Sequence, residues 1–79
     1  MKISKVTPSE NYCLTVVFEN AQTVTLDMKG KLQTLRFSSL RNEQVFRAVK
    51  ADEKSLYWPG DISMAVSEIR ELSRKQGGE

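Results

Sequence analysis

Any chemistry in this chain has to come from a short inventory: one thiol, Cys13; an adjacent acid pair, Asp52-Glu53; a run of cations, Lys29, Lys31, Arg36, Arg41, Arg47 and Lys50; and an aromatic pair, Tyr57-Trp58. There is no His, so the usual general base near neutral pH and the commonest metal ligand are both missing. Cys13 as a nucleophile would need an activating base that the chain does not offer, and one Cys cannot build a zinc site of the Cys type. Lying opposite Leu14 in an alternating run, Cys13 reads as a packed or half-exposed thiol. Asp52 and Glu53 are neighbours in a polar turn, so their carboxylates diverge into solvent and do not share a proton. Gly30 and Gly60 stand alone and Gly77-Gly78 lie close to the last residue, which leaves no glycine-rich phosphate cradle. The expectation is a non-enzyme with no metal and no cofactor.

Recognition is the chemistry that remains. Residues 29–50 hold six cations against a single acid, Glu43. Such a block can meet an anionic partner, nucleic acid included, or can be the solvated face of a helix and its loop. Phe37 and Phe46 are the only aromatics interleaved with these cations, and both read as core. Tyr57 and Trp58 beside a Pro-Gly turn could anchor a partner protein. Trp58 could equally close a small core, which needs its largest side chain.

These side chains must be positioned by 79 residues, one domain's worth of chain, expected over 1–75 with a frayed tail at 76–79. A chain of this size buries only about 60–65% of its unfolded surface, so its core is small. With 39% hydrophobic and 28% charged residues, the composition is that of a soluble globular domain. No apolar run reaches the ~18 residues of a membrane span. The start, Met1 to Lys5, reads as a strand and not as a signal peptide. A lone Cys fits a reducing cytoplasm.

The elements follow from periodicity. Ile3–Val6 reads as a short strand, with Ile3 and Lys5 on one face, and Thr7–Asn11 as a turn around Pro8. Tyr12, Leu14, Val16 and Phe18 alternate with Cys13, Thr15, Val17 and Glu19, and Val24, Leu26 and Met28 alternate with Thr23, Thr25 and Asp27. That is the pattern of two half-buried strands. A two-residue loop between them would set Val16 against Thr25 and cross the faces. A three-residue loop, Glu19-Asn20-Ala21, pairs Val16 with Val24, Leu14 with Leu26 and Tyr12 with Met28, so the faces agree. The third residue of such a loop usually takes the left-handed conformation, which puts Ala21 where Gly is favoured. A helix is expected near 39–48, capped by Ser38 or Ser39 or restarted at Asn42. Short strands follow near Val49–Ala51 and at Ser55–Trp58, where Pro59 ends the ladder. The final helix is expected near 62–75, capped by Asp61 or Ser63, with Ile62, Ala65, Val66, Ile69 and Leu72 as its apolar stripe. The fold class is α+β: a small curled antiparallel sheet of three to five strands with two helices.

Val6-Thr7-Pro8, Tyr12-x-Leu14, Phe18-Glu19-Asn20, Asp27, Phe37-x-x-Leu40, Phe46 and Trp58-Pro59-x-Asp61 occur in an order that resembles the small bacterial domain of unknown function 2442, over residues 2–72. Two positions depart from that pattern: Ala21 stands where the family has Gly, and Gly60 stands alone where the family has an Asn-Gly type of turn. The resemblance implies an α+β domain with a curled antiparallel sheet. It also implies relatives that carry a helix-turn-helix domain after this unit, which a chain read to Glu79 is expected to lack. Other relatives are encoded beside a second small protein, as in a toxin–antitoxin pair. None of this supplies an active site. The functional expectation is a small protein-interaction module, regulatory or antitoxin-like, with an unidentified protein partner and homodimerisation through a sheet edge or the last helix. The alternative is nucleic-acid binding through the 29–50 cations.

Overall fold

The computed structural model describes residues 2–76. The chain forms strands β1 (Ile3–Ser9), β2 (Cys13–Phe18) and β3 (Thr23–Asp27), helix α1 (Glu43–Arg47), strands β4 (Lys50–Ala51), β5 (Ser55–Trp58) and β6 (Ile62–Ala65), and helix α2 (Val66–Lys75). The fold is α+β. Its strands make two three-stranded antiparallel sheets, ordered β1-β2-β3 and β4-β5-β6. The Ile3 amide donates to the Glu53 carbonyl at 3.0 Å, joining the first sheet to the β4–β5 turn.

β1 is longer than the expected Ile3–Val6 and runs through Pro8, which pairs with Leu14. β1 is an outer strand, where a missing donor is tolerated. Its register slips between Ile3 and Lys5, so Ser4 is an extra residue and Ile3 and Val6 come to one face. Ile3 and Lys5 therefore do not share a face, contrary to the simple alternation. The chain then turns at Glu10–Tyr12 through two left-handed residues, Asn11 (φ 61°) and Tyr12 (φ 58°).

The β2–β3 hairpin has the register that face matching demands: Val16 opposite Val24 and Leu14 opposite Leu26. Phe18 and Gln22 close it, with the Phe18 amide donating to Gln22 at 2.9 Å. Ala21 sits at φ 70°, in the left-handed region that L-residues avoid.

The stretch expected to form one helix over 39–48 is split. A 3-10 turn covers Ser38–Arg41, Asn42 is extended, and α1 begins at Glu43. Asn42 restarts the helix because its side chain accepts the Gln44 amide at 3.0 Å, which satisfies one of the donors left open at a helix start.

The larger correction concerns 62–65, which was expected to open the last helix. Ile62–Ala65 is β6, paired to β5 through Trp58–Ile62 and Leu56–Met64. Gly60 (φ 93°) and Asp61 (φ 61°) fold the chain back after Pro59. Ile62 and Met64 are thus buried as alternate strand residues. α2 starts at Val66, and its first turn is closed by Glu68, whose carboxylate accepts the Ala65 amide at 3.3 Å. Neither Asp61 nor Ser63 caps it.

The core lies between the sheets and under α2. Leu14, Val16, Leu26, Met28, Leu40, Leu56, Met64 and Ile69 are fully buried, each stabilising the fold by about 1.5–3 kcal/mol. Gln76, assigned to a frayed tail, is tied down: its side-chain amide exchanges two hydrogen bonds with the Asp27 backbone. Residues 77–79, the rest of that tail, lie outside the described residues. Among the described residues no helix is long and apolar enough to cross a membrane.

Candidate protein-contact surface

Between β3 and α1 the chain has little regular structure, yet it is held at several points. A 3-10 turn at Lys31–Gln33 buries Leu32. Thr34 then bonds back to the Lys31 carbonyl twice, from its amide at 3.0 Å and its hydroxyl at 2.7 Å. Phe37 is buried and packs edge-on against Trp58, with ring centroids 6.2 Å apart. Between these anchors Leu35 is 93% exposed. Leu32 and Leu35 stand three apart in sequence, the spacing of one helical turn. The turn ends at Gln33, so the residue three positions on from Leu32 points into solvent.

Arg36 fixes this segment. Its guanidinium meets the Glu68 carboxylate through two bonds, of 2.7 and 3.0 Å, and donates to the Ser63 carbonyl at 2.6 Å. It also lies over the Phe37 ring, 4.7 Å from the centroid. The Arg36 hydrogen bond holds the Glu68 carboxyl below its ordinary pKa, and Glu68 raises that of Arg36 in return. β6 is the outer strand of its sheet, so Arg36 takes a carbonyl on an open edge. Ser63 is the cross-strand partner of Tyr57, which in turn pairs with Lys50. The outer face of the second sheet therefore carries Lys50, Tyr57 and Ser63 in a row, and Tyr57 is 40% exposed.

Trp58 is removed from the candidate contacts. It alternates with Tyr57 and points inward, 3% exposed. Its indole N–H donates to the Phe46 carbonyl at 3.1 Å, one of the carbonyls that the end of α1 leaves open.

The six cations differ in what holds them. Arg36 is bound as described. Arg41 donates from Nε to the Leu32 carbonyl at 3.0 Å. Arg47 pairs with Glu43 at 3.5 Å, and Lys29 with Asp27 at 3.2 Å. Lys31 lines a groove against α2, and Lys50 lies on β4. Four of the six thus bind their own chain, a use that composition alone does not show.

Cys13 is half-buried at the start of β2, with Asn11 as its sulfur's neighbour. Asp52 accepts the Lys54 and Ser55 amides at 2.8 Å, so it orders the β4–β5 turn; Glu53 instead pairs with Lys2 at 3.7 Å. The two acids diverge.

A family model described as Protein of unknown function (DUF2442) matches residues 3–75. No curated protein and no solved structure matches the chain.

Proposed function

The chain belongs to the DUF2442 family, and we propose that it is a non-catalytic protein-interaction module of the cytoplasm, with a regulatory or antitoxin-like role toward one partner protein. The observation that carries this reading is Leu35, 93% exposed on a segment fastened on both sides. An apolar side chain held out in one place gives a partner buried area with little ordering cost. Tyr57, exposed on the neighbouring sheet face, adds a rigid amphipathic ring. The antitoxin-like part of the reading rests on the gene layout that the family resemblance implies.

Capture from the native cell with the parent chain and with Leu35→Glu tests it. The reading expects a partner that the parent retains and Leu35→Glu loses, with both chains equally folded. Equal capture by both chains, or retention of duplex DNA that weakens steeply with salt in place of any protein, would overturn it. The DNA outcome would favour the cations Lys31 and Lys50, which bind no acid among the described residues.

A further inference from the structure

β3 is the outer strand of the first sheet, and its free edge is already engaged at one rung. The β2–β3 ladder has bonded pairs at both ends: Phe18 donates to Gln22, and Met28 donates to Tyr12. With Val16–Val24 and Leu14–Leu26 between them, alternation turns the main-chain groups of Thr23, Thr25 and Asp27 away from β2. At Asp27 the side chain of Gln76 answers both groups, accepting from the amide at 2.9 Å and donating to the carbonyl at 2.7 Å. These are the two bonds that an added strand would make. Thr23 and Thr25 are exposed, and no hydrogen bond among the described residues uses their outward groups.

Beside this edge β3 and α2 enclose a cleft of about 190 Å³. Phe18, Val24 and Ile69 give it apolar walls, and Arg70 and Arg74 line it from α2. Neither arginine forms an ion pair with a described residue. The two stand one helical turn apart, about 6 Å along the axis. Alternate side chains of a strand are about 6.6 Å apart, so the spacings match.

We propose that the β3 edge takes an extended acidic segment of a partner protein by strand addition. Its main chain pairs with Thr23 and Thr25, and its alternate Glu or Asp side chains reach Arg70 and Arg74. A second copy of this chain is the poorer occupant: antiparallel pairing of two β3 edges puts both α2 helices on one side of the joined sheet, arginines toward arginines. The site shares no residue with the Leu35 surface, so the two proposals fail independently.

The test titrates a blocked peptide of alternating Val and Glu into the isotope-labelled chain, with alternating Val and Lys as control. The Thr23 and Thr25 amide signals are expected to shift and their hydrogen exchange to slow, with no response to the Lys peptide. Arg70→Gln with Arg74→Gln is expected to weaken binding about ten-fold, and Leu35→Glu to leave it unchanged. Thr25→Pro removes a donor that β2 does not use and is expected to abolish the response. The proposal is overturned if the two amides do not respond at millimolar peptide, or if the Lys peptide or the double Arg variant binds as well. It is equally overturned if those amides shift with protein concentration alone, which assigns the edge to a second copy.

Discussion

Arg36 and Glu68 are joined by two parallel hydrogen bonds, 2.7 and 3.0 Å long, across 32 positions of sequence. The pair fastens three things at once: the segment that displays Leu35, the first turn of α2, and the open edge of β6 through Ser63. A bidentate pair with a third bond exceeds an ordinary surface ion pair.

Glu68→Gln is therefore expected to cost about 1 kcal/mol, read as a lower denaturant midpoint at neutral pH. The same group sets part of the acid response. Its folded pKa lies below the ordinary 4.5, so the folded chain binds that proton less readily than the unfolded chain. The stability it supplies is whole above that value and is lost as pH falls through the lowered one. Asp27, held low first by the Lys29 amide, and Asp52, held low first by the Lys54 amide, act with the same sign from 3.8 downward. The contribution of these three carboxylates should be whole above about pH 5 and fall below it, and Glu68→Gln should flatten the upper part of that fall. An acid limb identical in parent and variant would say that the pair carries no weight.

Ala21→Gly is expected to raise the midpoint. Ala21 is held at φ 70°, which costs an L-residue about 1–2 kcal/mol. Part of the relief is offset by the greater freedom of Gly in the unfolded chain, leaving a gain of about 0.5–1 kcal/mol. An unchanged or lower midpoint would place Ala21 in an ordinary conformation.

The β2–β3 register was legible because one slip would send Val16, Leu14 and their partners to opposite faces. Ile62–Ala65 was misread because four residues are too few to separate a period of two from a helical stripe. Only the left-handed Gly60 and Asp61, which return the chain along β5, decide it. The Arg36–Glu68 pair and the Gln76–Asp27 bonds were out of reach, since each joins residues that only the finished packing brings together. The exposure of Leu35 was out of reach as well: its spacing of three from Leu32 would put both on one face of a helix, but the 3-10 turn stops at Gln33.

Trp58→Phe separates the indole's hydrogen bond from its bulk. It keeps most of the contact with Phe37 but leaves the buried Phe46 carbonyl without its donor, at an expected cost of about 1–3 kcal/mol. Thermal unfolding of parent and variant measures it, and a variant as stable as the parent would mean that the carbonyl finds another partner.

The most direct measurement for the interaction reading is a photo-cross-linking amino acid placed at position 35 in the native cell, with the same residue at Thr7, exposed on β1, as control. One discrete protein adduct is expected from position 35 and none from position 7. No adduct at position 35, or the same adducts from both positions, would contradict it.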